Sequence, residues 1–225
     1  MTKVYTIGVG GPSCSGKTTI TRILKRILKN VTVIYQDDFY KPDKEIPIDK
    51  ETQLANWDCP EAIEFDRLLD VLSFAKQNKG KLPEGYDSKE ELNVHDGSNQ
   101  LDDQTAIKLQ EMLSYLVKED NHFVIVDGFM LYWDNRVYQH LDCKISLTTS
   151  YETLKSRREQ RQGYHTAEGY WIDPPGYFDK IVWPEYLRLS QHDRSVKDIV
   201  IIDTDKNSIA QTALKVADDL CKHLL

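Results

Sequence analysis

The stretch Gly11-Pro12-Ser13-Cys14-Ser15-Gly16-Lys17-Thr18 decides the fold, because it matches the phosphate-binding pattern G-x-x-x-x-G-K-[ST]. The apolar run at residues 4–9 precedes it and predicts a buried strand. After it, apolar side chains recur at helical spacing, namely Ile20, Ile23, Leu24, Ile27 and Leu28. A strand, a glycine-containing loop and a helix in this order predict a P-loop that binds a nucleoside triphosphate.

In such a loop, backbone N–H groups point at phosphate oxygens, and the following helix presents the positive end of its dipole. Lys17 is expected to reach the β- and γ-phosphates, and the Thr18 hydroxyl is expected to contact Mg²⁺. The nucleotide-binding residues predicted around this loop are Gly11, Ser13, Ser15, Gly16, Lys17, Thr18 and Thr19.

Length and charge limit the class of protein. The 225 residues suffice for one α/β domain, so we expect a single domain over residues 1–225. A net charge of −7 argues against a nucleic-acid partner held by a broad basic surface. The amino terminus runs straight into the first predicted strand, and no apolar run of about 18 residues occurs. We therefore expect a cytoplasmic protein without a membrane partner, with its four scattered cysteines reduced.

Strand and helix patterns alternate along the chain. Strands are predicted at residues 4–9, 31–35, 123–127, 144–147 and 199–203, and helices at 62–77 and 105–118. This order predicts a parallel β-sheet flanked by helices, with ligands at the carboxyl ends of the strands. A polar insertion is expected at about 79–104, and a lid segment at about 157–178.

Carboxylates follow two of the predicted strands. Asp37 and Asp38 come after the second strand, where a carboxylate can take a proton from an attacking hydroxyl. Because successive strand residues face opposite sides, we expect Asp37 to point into the crevice and Asp38 to have a capping or turn role. Asp127 ends the third strand beside the P-loop, where it is placed to hold a metal ion directly or through water, or to stabilise the turn.

Three arginines lie near the predicted lid. Arg157, Arg158 and Arg161 can grip phosphate oxygens when the lid closes, or they can form a solvated helix face. Trp57-Asp58 pairs a large π face with an anion, which suits a cationic aromatic substrate that carries a sugar. The alternative is that Asp58 caps the next helix and Trp57 packs on the core. Tyr40 and Tyr164 are further candidates for substrate binding.

Taken together, these motifs resemble the uridine kinase and phosphoribulokinase type of P-loop kinase, and within it the nicotinamide riboside kinases. The resemblance rests on the P-loop and on five further stretches of the sequence, at 36–42, 56–62, 126–129, 157–161 and 175–179. It implies ATP as the phosphate donor, with GTP as an open alternative, Mg²⁺ as cofactor, and a small nucleoside as acceptor. The oligomeric state, monomer or homodimer, stays open.

The resemblance also implies residue roles. Asp37 would be the base that activates the ribose 5′-hydroxyl, with Lys17 and Arg158 as further catalytic residues. The implied metal contacts are Thr18, Asp37 and Asp127. The implied substrate-binding residues are Asp37, Phe39, Tyr40, Trp57, Asp58, Arg158 and Tyr164. The implied nucleotide contacts beyond the P-loop are Arg157, Arg161, Lys206, Asn207 and Ser208.

The reaction implied by the resemblance is phosphorylation of nicotinamide riboside to nicotinamide mononucleotide, a step of NAD salvage. Phosphorylation of uridine or cytidine is the alternative within the same class. A nucleotide-binding switch protein without transferase activity is the alternative from another class, because a P-loop by itself shows binding and not transfer.

Overall fold

Five parallel strands form the centre of the computed structural model, which describes residues 3–90, 101–161, 163–166 and 169–225. Their order in the sheet is β2-β3-β1-β4-β7, and each neighbouring pair runs parallel. The strands span β1 Lys3–Gly10, β2 Val31–Tyr35, β3 Asn121–Gly128, β4 Cys143–Thr148 and β7 Val200–Asp203. Strands β5 Tyr164–Thr166 and β6 Gly169–Trp171 form a separate antiparallel hairpin.

Seven α-helices of the described chain connect or follow these strands. They are α1 Lys17–Ile27, α2 Phe65–Gln77, α3 Asp103–Leu113, α4 Asn135–Gln139, α5 Tyr151–Glu159, α6 Trp183–Ser195 and α7 Ile209–Leu224. None of the described helices is long and apolar enough to cross a membrane.

Both faces of the sheet are covered by apolar side chains. Helices α1, α3 and α7 bury one face, with Leu24, Leu113 and Leu220 at most 1% exposed. Helix α2 and the chain after β3 bury the other face, where Leu68 and Tyr132 are fully buried. Burial on both sides is why the strands read as continuous apolar runs rather than alternating ones.

The predicted fold class is confirmed, and all five predicted sheet strands are present with ends shifted by at most two residues. The chain after β2 differs from the expectation in one respect. Residues Gln36–Phe39 form a 3₁₀ turn rather than a continuation of the strand. The side chains of Asp37 and Asp38 are therefore directed by this turn and not by strand alternation.

The predicted insertion and lid are described in part. Residues 91–100 of the insertion lie outside the described residues, and α3 already begins at Asp103. The lid stretch contains the end of α5, the β5–β6 hairpin and a turn that leads into a short π-helical segment at Phe178–Val182. All four cysteines are free thiols.

Candidate active site

The P-loop between β1 and α1 has a backbone that two glycines make possible. Gly11 has φ +129°, and a Cβ there would lie 2.3 Å from the Leu147 carbonyl oxygen. Gly16 has φ +98° and is the N-cap of α1. Because Gly16 has no side chain to accept from the first amides of α1, those N–H groups remain available to an anion.

Polar groups converge inside this loop. The Lys17 ammonium donates to the Pro12 carbonyl at 3.0 Å and is largely buried. The Ser15 N–H donates to the same carbonyl at 3.1 Å. The Ser15 hydroxyl is buried and has no hydrogen-bond partner within the described parts of the chain. A buried cation and an unsatisfied buried hydroxyl are what a phosphate group would neutralise and complete.

A cavity of about 870 Å³ opens above the P-loop at the carboxyl ends of the strands. Most of the predicted site residues line this one cavity. They are Ser13, Ser15, Gly16, Lys17, Thr18, Thr19, Asp37, Tyr40, Asp58, Asp127, Arg157, Arg158, Arg161, Asn207 and Ser208. The topology places the chain after β2 at one end of the cavity and the chain after β7 at the other, since these are the edge strands.

The two neighbouring aspartates have different surroundings. Asp37 is open to the cavity, whereas Asp38 is buried and accepts hydrogen bonds from the Tyr86 hydroxyl and the Lys89 N–H. Protein surrounds Asp37 on its other sides, and this desolvation raises the pKa of its carboxyl, while the nearby Lys17 charge lowers it. Asp37 therefore has the position of a group that can exchange a proton with a ligand.

Asp127 lies at the end of β3, and its side chain is 4% exposed. Its Oδ2 atom has no hydrogen-bond partner among the described residues. Burial raises the pKa of Asp127 to about 6, while Lys17 opposes the shift and Asp37 adds to it. An unsatisfied buried carboxylate oxygen beside a phosphate loop fits a divalent cation.

The donor set by itself is incomplete for a metal ion. In the described part of the chain, no group of three or more His, Cys, Asp or Glu side chains is arranged to hold one. Mg²⁺ is commonly bound through one or two carboxylates together with nucleotide phosphates and water. Thr18, Asp37 and Asp127, which line the same cavity, fit such a shared site.

Three arginines, two in α5 and one just after its end, make different contacts. Arg157 donates to the Cys14 carbonyl of the P-loop at 3.1 Å. Arg158 is 5% exposed, donates to both carboxylate oxygens of Asp173 at 2.5 and 3.0 Å, and lies 3.7 Å from an oxygen of Asp58. Arg161 lines the cavity and lies close enough to Asp37 to lower the pKa of that carboxyl. The helix thus joins the P-loop, the lid and the acidic residues.

An aromatic cluster lies behind the cavity wall near Asp58. The Tyr40 ring lines the cavity and meets Trp57 edge-on, with 5.3 Å between ring centroids. Trp171 of β6 also packs against Trp57, with 5.5 Å between ring centroids. The Trp57 indole N–H is buried and has no partner within the described ranges. Burial raises the pKa of Asp58 to about 6, and Arg158 opposes that shift.

Several predicted residues are not in the cavity wall. Phe39 is fully buried in the core beneath the 3₁₀ turn, and Trp57 lies behind Tyr40. Lys206 is 80% exposed and pairs with Asp203 at 2.8 Å. The backbone of Tyr164 begins β5, and its side chain lies outside the described residues.

The other end of the cavity is formed after β7. The Asn207 amide donates to the Asp203 carbonyl at 2.6 Å, which fixes the loop. Ser208 is the N-cap of α7 and forms a reciprocal capping box with Gln211. A short polar loop followed by a capped helix suits contact with the base or ribose of a nucleotide whose phosphates lie in the P-loop.

Sequence reasoning missed Trp171, Asp173 and Glu90. Trp171 stands against Trp57, its indole N–H donates to Asp173 at 2.8 Å, and Asp173 in turn binds Arg158. Glu90, at the end of the described part of the insertion, lines the cavity. The aromatic and acidic composition of the lid could have indicated the first two, whereas nothing in the local sequence marks Glu90.

Comparison with known proteins agrees with this site. The model of the phosphoribulokinase/uridine kinase family matches residues 6–169. A nicotinamide riboside kinase from Schizosaccharomyces pombe is 37% identical over 190 residues, covering 84% of this chain and 80% of that protein. The Saccharomyces cerevisiae nicotinamide riboside kinase is 35% identical, covering 82% of this chain and 76% of that protein. Human nicotinamide riboside kinase 1 is 30% identical, covering 99% of this chain and 94% of that protein.

The family match at residues 6–169 includes the P-loop, the Asp37 turn and Asp127, which all contribute to the cavity. By its family match and its relatives, and in agreement with the P-loop site described above, the chain belongs to the phosphoribulokinase/uridine kinase family.

Proposed function

We propose that this protein is an ATP-dependent kinase that phosphorylates the ribose 5′-hydroxyl of nicotinamide riboside, giving nicotinamide mononucleotide for NAD salvage. One observation carries the proposal: a single cavity joins a P-loop with its lysine, a carboxylate open to the cavity, and a wall of aromatic and acidic side chains. The relatives named nicotinamide riboside kinase support the choice of acceptor.

The end of the cavity formed by the chain after β2 includes Tyr40 and Asp58, and we call it the acceptor end because it would bind the phosphate acceptor. It suits a pyridinium riboside. Its ring is planar and positively charged, and the Tyr40 ring in the wall offers a π face backed by Trp57 and Trp171. Asp58 offers hydrogen-bond acceptors and Arg158, whose guanidinium lies 3.7 Å from an Asp58 oxygen, offers donors, and this pair suits the hydroxyls of a ribose. Neutral uridine would gain the stacking and not the charge attraction.

In the proposed mechanism, Asp37 accepts the proton of the 5′-hydroxyl as that oxygen attacks the γ-phosphorus. Lys17 leaves the Pro12 carbonyl to neutralise the β- and γ-phosphates, and P-loop amides hold the phosphate oxygens. Arg157, in α5, and Arg161, just after its end, approach the transferring phosphate and help to exclude water. Mg²⁺, bound by Thr18, Asp127 and Asp37 with the nucleotide, would supply further charge neutralisation.

A coupled assay of ADP release tests the proposal. With Mg·ATP, we expect kcat/KM for nicotinamide riboside to exceed that for uridine by at least a hundredfold. A preference for uridine would keep the kinase and overturn the acceptor. Nucleotide binding without transfer to either compound would favour a switch protein instead. The same comparison with Mg·GTP, following GDP release, decides the donor.

A further inference from the structure

The segment at residues 80–90 is fixed against the β2 edge of the sheet by several contacts. The Thr32 hydroxyl of β2 donates to the Gly80 carbonyl at 2.5 Å. Leu82 and Tyr86 pack on the apolar cluster beneath α2, and the Tyr86 ring lies 6.1 Å from that of Phe39. A segment that sequence patterns mark as a polar excursion is therefore attached to the core.

Asp38 is the central anchor of this segment. Its side chain is buried, one oxygen accepts from the Tyr86 hydroxyl at 2.8 Å, and the other accepts from the Lys89 N–H at 3.0 Å. Burial and the Asp38 charge both raise the pKa of Tyr86, so its hydroxyl stays protonated and keeps donating. The same 3₁₀ turn thus directs Asp37 to the cavity and Asp38 to the 80–90 segment.

The segment ends at the cavity. Glu90 follows Lys89 directly, and its side chain lines the cavity wall. It lies near Tyr35, whose hydroxyl pKa is raised by burial and by the charges of Asp127 and Glu90. Tyr35 ends β2, the edge strand farthest from β7, so Glu90 belongs to the acceptor end of the cavity and not to the end formed after β7.

We propose that Asp38 is a positioning residue that anchors the 80–90 segment, so that the Glu90 carboxylate forms part of the acceptor end and favours a positively charged nucleoside. The claim about the nucleoside rests on the proposed function, whereas the anchoring does not. A fixed carboxylate in a partly enclosed cavity attracts a cationic ligand more strongly than one on a mobile loop, because no ordering is needed on binding.

Hydrogen–deuterium exchange of the ligand-free protein tests the anchoring. Asp38→Asn replaces the charged acceptor, and Tyr86→Phe removes one donor while keeping the buried ring. We expect exchange in peptides covering residues 84–90 to be about tenfold faster in D38N and several-fold faster in Y86F. Asp87→Asn, in the same segment with an exposed side chain, is the control and should exchange like the parent protein. If exchange in Y86F is the same as in the parent protein, the anchoring is overturned. This result decides the matter even if the D38N variant does not fold.

Kinetics test the role of Glu90. At low ionic strength, Glu90→Gln should raise KM for nicotinamide riboside about threefold to tenfold and change KM for ATP by less than twofold. Y86F should also raise KM for nicotinamide riboside. In the double variant this KM should be little higher than in E90Q alone. An unchanged riboside KM in E90Q overturns the electrostatic role. If the parent protein does not use the riboside at all, the proposed function fails, while the exchange experiment still decides the anchoring.

Discussion

At the scale of single residues, the site depends on which carboxylates face the ligands. Asp37 is open to the cavity beside Lys17, while its neighbour Asp38 is hydrogen-bonded to the 80–90 segment. A proton acceptor must reach the attacking hydroxyl and must be ionised at the working pH. Of the two neighbours, Asp37 alone lines the cavity, so we propose it as the base.

Asp37→Asn should lower kcat by a factor of about 10² to 10⁴, because the amide cannot accept the proton. Binding of ATP should change little, since the P-loop contacts remain. The measurement is single-turnover transfer together with nucleotide titration by fluorescence or calorimetry. Turnover within tenfold of the parent protein would exclude Asp37 as the base.

Asp127→Asn should stabilise the ligand-free protein while impairing turnover. Burial raises the pKa of Asp127 from 3.8 to about 6, so the folded state holds the proton more tightly than the unfolded state. The ionised carboxylate therefore destabilises the fold, and this cost grows as the pH rises from about 4 to 6. At pH 8 the variant should gain roughly 2–3 kcal/mol, and below pH 4 it should gain nothing.

Urea unfolding of both proteins across this pH range gives the comparison. A variant that is less stable than the parent at pH 8 would show instead that the carboxylate is compensated by a partner such as Lys17. Because the gain in stability and the loss of turnover have the same cause, both should appear in one variant. This is the expected pattern for a charge that is kept for function.

At the scale of elements, the P-loop and the sheet were predictable because their signals are local. The spacing of Gly11, Gly16 and Lys17 specifies a backbone, and apolar runs specify buried strands. Asp37 was predicted from strand alternation, yet a 3₁₀ turn is what separates it from Asp38. The prediction and the structure both direct Asp37 into the cavity, but the prediction relied on strand alternation and the structure uses a turn.

The lid was less predictable because its contacts join distant parts of the chain. Arg158 was expected to grip phosphate, but in the structure it binds Asp173 and lies beside Asp58. Tertiary packing, and not the spacing of residues within α5, determines which carboxylate an arginine pairs with. Trp171 was missed for the same reason, since its partner Trp57 lies 114 positions earlier in the chain.

Trp171 of the lid hairpin gives a prediction for this element. Trp171→Ala should raise KM for nicotinamide riboside about tenfold, because it removes aromatic surface behind the acceptor end and the donor to Asp173. Trp171→Phe keeps a ring and loses the indole N–H, so its effect should be smaller. Tyr170→Ala, on the neighbouring exposed position of β6, is the control. Equal effects of the alanine variants at both positions would contradict a specific role for Trp171.

At the scale of the whole molecule, the strand order separates two functions. Tyr40 follows β2 and the 3₁₀ turn, and Asn207 follows β7, so both line one cavity from opposite edges of the sheet. Four strand spacings lie between those edges, which is about 19 Å. Lys17 and the P-loop lie after β1, the central strand. In the proposed function, donor and acceptor therefore reach the same phosphate-binding loop from two sides.

This separation predicts that substitutions at the two ends of the cavity act independently on the binding of the two substrates. Tyr40→Leu should raise KM for the riboside several-fold and leave KM for ATP within twofold, and Asn207→Ala should do the reverse. In the double variant each KM should change by the same factor as in the corresponding single variant, within about a factor of two, because sites this far apart without shared partners couple weakly. Initial-rate kinetics with both substrates varied give all the constants. A deviation larger than tenfold would mean that the ends communicate, and α5, which contacts the P-loop through Arg157 and the acceptor end through Arg158, would be the element to test.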